Sequence, residues 1–149
     1  MVKGIEPYLP SYEEVHQWKD RKRKVQVPLF PGYVFARFHD TAEERVRVLA
    51  TTGVAGVLGA SGKAEPVREE EIAAVRNLLN TRAACMPHPF LKQGDWVRVT
   101  RGPLQGLEGY LVRFKGRARL VMSVSVLAQS VAAELDLRDV KASKKPSAG

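Results

Sequence analysis

Five cations stand within six residues at Lys19-Asp20-Arg21-Lys22-Arg23-Lys24. Clustered Lys and Arg gain affinity for a polyanion by releasing its condensed counterions. The run is therefore either a contact for nucleic-acid phosphates or a solvated loop. The other reactive residue types are scattered. His16, His39 and His88 lie far apart in sequence and lack metal-ligand spacing. Cys85 is the one cysteine, which excludes an internal disulfide and a thiolate metal cluster. Glu69, Glu70 and Glu71 open a helical pattern, where they complement the helix dipole rather than act as acids. Gly59-Ala60-Ser61-Gly62 lacks the lysine of a phosphate-binding loop. Trp18 and Trp96 offer faces for base stacking, Trp96 being expected to point outward, opposite Val97. This inventory describes a binder, not an enzyme, with no cofactor and no metal.

The 149 residues allow one ordinary domain or two small ones, and 44% hydrophobic residues suffice for a packed core. Net charge is +8, which favours a polyanionic partner. Residues 92–149 hold 11 basic and 5 acidic side chains, so most of the excess lies in the second half. Met1-Val2-Lys3-Gly4 does not begin a signal peptide. No apolar run approaches the roughly 18 residues of a membrane helix. A cytoplasmic chain with no membrane contact is expected.

These side chains need elements to hold them. Val27-Pro28-Leu29-Phe30-Pro31-Gly32-Tyr33 opens with a turn signal at Pro31-Gly32. A strand over 33–38 should follow, with Tyr33, Phe35 and Arg37 on one face and Val34, Ala36 and Phe38 on the other. Both faces are largely apolar, so this strand is expected to be central and covered on both sides. Pro7 and Pro10 push residues 5–10 to a sheet edge. Residues 12–24 read as the tip of a long hairpin whose return strand begins near Val25. Thr41 and Glu44 have capping-box spacing and start a helix with an apolar stripe of Ala42, Val46, Leu49 and Ala50, closed by Gly53. A short strand over 54–58 and a turn at Gly59-Ala60-Ser61-Gly62 should precede a second helix of about twelve residues after Pro66-Val67, with Ile72, Val75 and Leu79 facing the core. Residues 81–91 contain Pro87 and Pro89, have no periodicity, and read as a linker. Beyond it, short β-type runs at 95–100, 107–115, 119–126 and 131–137 alternate apolar and polar residues, which suggests a small closed barrel. Residues 142–149 read as a disordered tail.

Two motifs make this order specific. Phe30-Pro31-Gly32-Tyr33-Val34-Phe35 follows the basic run. Gly94-Asp95-Trp96-Val97-Arg98-Val99-Thr100-Arg101-Gly102-Pro103-Leu104-Gln105-Gly106-Leu107-Glu108-Gly109 makes a strand, a turn at Arg101-Gly102-Pro103, and glycines at 106 and 109 that let the next strand coil tightly. The first resembles the signature of NusG-like transcription elongation factors, and the second resembles a KOW motif. Together, in this order, they resemble the NusG-like family over residues 3–141. The run Gly4-Ile5-Glu6-Pro7-Tyr8-Leu9-Pro10 is similar to specialised antiterminators of the UpxY type.

The resemblance implies an α+β chain: an NGN domain, an RRM-like α/β sandwich, over 1–80, a linker over 81–91 and a small SH3-like KOW β-barrel over 92–141. It implies that family members carry a strand and a helix before the position of Met1, so the NGN domain is expected to be N-terminally truncated here. It implies binding to the clamp helices of core RNA polymerase through Leu29, Phe30, Pro31 and Tyr33, with Phe30 the partly exposed anchor and Tyr33 and Phe35 in the core. In relatives the helix over 42–52 carries polar contacts across the cleft; the corresponding positions here, near Glu44, Arg45 and Val46, depart from that pattern, so solvated helix-face charge is expected there. Lys19, Arg21, Lys22, Arg23 and Lys24 would touch DNA or nascent RNA, and Gly94, Gly102, Pro103, Gly106 and Gly109 would shape the KOW turn. In relatives an aromatic after the third barrel strand docks ribosomal protein S10 or Rho. Leu127 stands there, keeping an apolar partner contact while weakening the expectation of those two partners. The expected function is suppression of pausing or termination by a monomeric, operon-directed factor. The alternative is a ribosome-associated or general RNA-binding KOW protein.

Overall fold

Alternating residues and turn formers divide the chain into twelve strands and two helices, seen in a computed structural model that describes residues 5–39, 41–60, 63–81 and 83–146. The expected Ser61-Gly62 turn, the first residue of the Gly4–Pro10 run and the last three residues of the tail lie outside that set. Strand β1 (Glu6–Tyr8) pairs antiparallel with β4 (Phe35–Arg37). β2 (Ser11–Trp18) and β3 (Arg21–Pro28) form a separate two-stranded hairpin of eight residues per arm. Two expectations are corrected here. The return strand begins at Arg21, because the chain reverses over Lys19-Asp20 alone. The strand after Pro31-Gly32 spans only 35–37 and pairs only with β1 among the described residues, so it is neither long nor central.

Helix α1 (Ala42–Leu49) starts where the capping box predicts, with the Thr41 hydroxyl accepting the Glu44 N–H at 3.1 Å. Its apolar stripe stays in solvent: Val46 is 64% exposed, and Leu49 is exposed as well. With Val57, Gly59 and Ala64 that stripe lines an open groove of about 470 Å³. The predicted strand at 54–58 does not form. Instead β5 (Gly59–Ala60) and β6 (Lys63–Ala64) make a small antiparallel pair. Helix α2 (Glu69–Leu79) has its three glutamates in the first turn and buries Val75 and Leu78, with Ile72 and Leu79 packed beside them. The helical phase puts Leu78 one turn beyond Val75 on the buried face.

The remaining strands form one antiparallel sheet in the order β12-β8-β9-β10-β11-β7. They are β7 (Cys85–His88), β8 (Asp95–Val99), β9 (Glu108–Phe114), β10 (Arg117–Val124), β11 (Gln129–Leu135) and β12 (Val140–Ala142). Val97, Val99, Leu120, Met122, Val124, Val131 and Ala133 point inward, as the alternation predicts. β7 lies inside the segment read as a linker. The start of the segment read as a tail is also engaged: Ala142 pairs with Val97 of β8, and the Ser143 N–H donates to the Trp96 carbonyl at 3.0 Å.

The two halves share a core. Leu29, Phe30 and Phe35 join Val75 and Leu78 of α2, and these continue into the barrel interior. A second cluster on the outer sheet face gathers Tyr110, Val121 and Ala132 under Leu91 and Trp96. There the Leu91 N–H donates to the Ser130 hydroxyl at 3.0 Å and the Ser123 hydroxyl donates to the Leu91 carbonyl, so both backbone groups of Leu91 are satisfied on the sheet.

Candidate functional site

Phe30-Pro31-Gly32-Tyr33 closes a type II turn. Pro31 takes the second position, Gly32 the third at φ +85°, and the Tyr33 N–H donates to the Phe30 carbonyl at 3.0 Å. Only glycine adopts that φ without strain. The Leu29 N–H donates to the Pro10 carbonyl at 2.9 Å and ties the turn to the end of the β1–β2 connection. Below the turn, Leu29 and Phe30 are each 1% exposed, and Phe30 meets Phe35 edge-to-face at 5.8 Å. Above it, Pro31 is exposed, Tyr33 is 37% exposed and Val34 is 54% exposed, with Leu9 exposed beside Pro10.

The expected roles of the two aromatics are therefore exchanged. Phe30 is a footing in the core and Tyr33 is at the surface. Of Leu29, Phe30, Pro31 and Tyr33, only Pro31 and Tyr33 are accessible. Val34 and Leu9 complete the apolar edge and were not singled out in sequence.

The five cations of the basic run all lie on the distal half of the β2–β3 hairpin. Lys19 sits in the turn at φ +49°, and the register pairs Trp18 with Arg21, Gln17 with Lys22, His16 with Arg23 and Val15 with Lys24. The pleat then sends Arg21 and Arg23 to one face and Lys22 and Lys24 to the other. Trp18 is 62% exposed beside this charge. Nearer the base, the Tyr12 hydroxyl and then the His16 imidazole hold the Glu14 carboxyl below its usual range, so Glu14 stays an anion.

In the barrel, Gly94, Gly102 and Gly106 adopt positive φ, and Pro103 lies between the last two. The Gly106 N–H donates to the Val99 carbonyl at 2.9 Å, returning the chain toward β8. Gly109 lies in β9 where a Cβ would stand 2.8 Å from the Val121 carbonyl oxygen of β10. These glycines shape the barrel. Leu127 lies in a single 3-10 turn, Ser125–Leu127, and is half-buried against the core. The same turn is fastened to α2: the Ser125 N–H and hydroxyl donate to the Glu71 carboxylate at 3.2 and 2.7 Å. On the helix face expected to carry solvated charge, Arg47 pairs with Glu44 at 3.1 Å and the Arg45 Nε–H donates to the Thr41 carbonyl at 3.4 Å.

A family model described as transcription termination factor NusG matches residues 2–76, the half that carries the turn and the hairpin. The chain belongs to the NusG family. Relatives named transcription termination/antitermination protein NusG extend the likeness across the barrel. The Deinococcus radiodurans protein is 30% identical, with 89% of this chain and 78% of the relative covered. The Campylobacter jejuni protein is 29% identical over the same shares of each. The Thermus thermophilus protein is 29% identical, with 86% of this chain and 76% of the relative covered. The NusG architecture of an NGN part followed by a KOW, SH3-like part accounts for the two helices of the first half and the antiparallel sheet of the second.

One cluster in this NusG-family barrel was not legible beforehand. The Arg119 guanidinium lies 4.5 Å over the Phe114 ring, and its NH1 is 3.2 Å from His88 Nδ1. Arginine can only donate, so Nδ1 accepts and the imidazole is neutral with its proton on Nε2. Partial burial first, and the Arg119 charge second, lower the His88 pKa below 6.5. The unfolded chain thus takes up a proton near pH 6.5 that the folded chain refuses until lower pH. This contribution to stability is complete above about pH 6.5 and is lost as pH falls from there through the folded pKa. Urea unfolding at pH 7.5 and 5.5 should show a lower midpoint at the acid value. His88→Asn, whose Oδ1 can accept from Arg119, should flatten the difference. An equal drop in the variant would assign the effect to another group.

Proposed function

We propose that this protein is a transcription elongation and antitermination factor that binds core RNA polymerase through the turn at Pro31-Gly32-Tyr33-Val34. The observation that carries this reading is the two-sidedness of the turn. Leu29 and Phe30 hold it from below, while Pro31, Tyr33 and Val34 present an apolar edge to solvent. An aromatic on a pre-formed turn loses little freedom on docking, which favours a hot spot. The relatives' shared name supports the transcriptional reading, and the family resemblance makes the polymerase clamp helices the matching surface. Leu29 and Phe30 act here as the footing of the contact.

Residues 1–80 would make the polymerase contact and residues 92–141 a second one. The β2–β3 arm would bring Lys19, Arg21, Lys22, Arg23 and Lys24 to DNA or nascent RNA held by the polymerase. Leu127, in place of an aromatic, supports an operon-directed factor of the UpxY type over one that docks ribosomal protein S10 or Rho. No bond is made or broken in this scheme. The protein acts by bridging, and suppression of pausing follows from holding the polymerase closed.

A pull-down of core RNA polymerase with the intact chain tests the turn. Tyr33→Ala is expected to weaken retention about 30-fold, the equivalent of about 2 kcal/mol for a hot spot. Its urea midpoint should be unchanged, because the side chain is at the surface. Val34→Ser should act in the same direction. Wild-type retention in both variants removes the turn from the interface. A chain that retains RNA but no polymerase is the RNA-binding KOW protein of the alternative reading.

A further inference from the structure

We propose that the outer face of the barrel carries a binding site for a single-stranded polynucleotide, built on Phe114 and framed by Arg117, Arg119 and His88. This site lies in the second half of the chain and does not depend on polymerase binding.

The register puts the parts together. Phe114 is paired with Arg117 and Val112 with Arg119, so Phe114, Arg117 and Arg119 share one face of the sheet. The intervening turn is Lys115-Gly116, with φ +52° and +79°, a two-residue type I′ hairpin that holds the ends of β9 and β10 rigid. His88 reaches the same place from β7, its ring 5.1 Å from Phe114 in an edge-to-face arrangement. Lys115 Nζ lies 5.4 Å from the Phe114 ring centroid.

Two features point to a polynucleotide. The first is charge without compensation in the chain itself: Lys115, Arg117 and Arg119 occur in five residues that contain no acid. The nearest anion across the sheet, Glu134, reaches Arg117 at only 3.7 Å, and the Arg117 side chain is 73% exposed. A surface pair of this length contributes little and exchanges readily for a phosphate. The second is the platform. A half-buried phenyl ring with a guanidinium stacked on it offers two planar surfaces, and bases stack on both kinds.

Stacking on this platform selects single strands over duplex, whose base faces are closed to it. The sheet face is also too broad to enter a groove. RNA and single-stranded DNA share this chemistry, so the measurement needs an arm for each.

The test is fluorescence anisotropy of the full chain with labelled twelve-nucleotide oligouridine, twelve-nucleotide oligothymidine and a twelve-base-pair duplex, over a salt series. Single strands should bind more tightly than duplex. Phe114→Ala should weaken single-strand binding by about 5- to 150-fold, the range for one lost stacking contact. Phe114→Tyr should restore it. Arg117→Ala, at an exposed position, should lower the salt slope by about 0.7, as one lost phosphate contact does on a single strand. The ratio of the two single-strand affinities then assigns the source as transcript or displaced DNA strand. Three results overturn the site: no binding to any oligonucleotide, preference for duplex, or binding unchanged in both Phe114→Ala and Arg117→Ala. The last would assign the affinity to the β2–β3 arm. Failure of any kind here leaves the Tyr33 pull-down untouched.

Discussion

Phe30→Ala should lower the unfolding free energy by about 3–5 kcal/mol, the cost of removing a fully buried phenyl ring and leaving its cavity. Phe30 is 1% exposed and closes the junction between the Pro31-Gly32 turn, Phe35 and α2. Domain stabilities are about 5–15 kcal/mol, so the loss takes a large share of the total. With an m-value of about 2 kcal/mol/M, the urea midpoint should fall by about 2 M. A shift below about half of that would mean that Phe30 is not a core residue. The result also governs how binding experiments are read. Lost polymerase retention in Phe30→Ala reports a lost fold, whereas lost retention in Tyr33→Ala at an unchanged midpoint reports a lost contact.

Gly109→Ala is the second large effect. The new methyl would meet the Val121 carbonyl oxygen at 2.8 Å and the Leu120 side chain at 3.2 Å. A flexible side-chain end could swing away, but a backbone oxygen of a paired strand cannot move without its neighbours. β10 is paired on both sides, with β9 and with β11. The expected cost is about 1–3 kcal/mol, typical of an overpacked interior. Because both halves share one core, the loss should appear in a single unfolding transition, at the same midpoint by far-UV circular dichroism and by tryptophan fluorescence. Two separated transitions would show that barrel and first half unfold independently. A wild-type midpoint would show that β9 and β10 separate without penalty.

Much of the barrel was legible because its strands keep a strict two-residue period. Val97 and Val99, then Leu120, Met122 and Val124, can be counted inward without error. The capping box at Thr41 and Glu44 was equally local and equally readable. The Pro31-Gly32 turn was not, since alternation cannot be counted through a left-handed glycine. Gly32 at φ +85° turns the chain just before the counted strand, so Tyr33 reaches the surface although a straight count puts it with the buried Phe35, while the exposure expected of Phe30 came from the resemblance alone. The strand at 85–88 was hidden by Pro87, which reads as a breaker. Proline also marks an edge strand, and β7 is the edge of its sheet. The Phe114 cluster was missed because His88 comes to it from 26 positions away, through a strand pairing that no local pattern announces. The exposed stripe of α1 has sound helical spacing, which says that a face is apolar but not what covers it.

The inclusion of Cys85 in the barrel sheet sets the reach of the second half. α2 runs to Leu79 and β7 begins at Cys85, so only five residues of chain separate the two elements. Five extended residues span at most about 18 Å. If the Glu71–Ser125 fastening and the shared core part, the barrel is confined to a small sphere around α2. Its local concentration there is of millimolar order. A weak site on the barrel therefore suffices for any partner that the first half brings within that radius. A partner held farther away gains nothing from the tether, however well it binds the barrel alone. In that parted state the pairing of β7 with β11 would set a distance gauge, admitting neighbours by proximity before affinity.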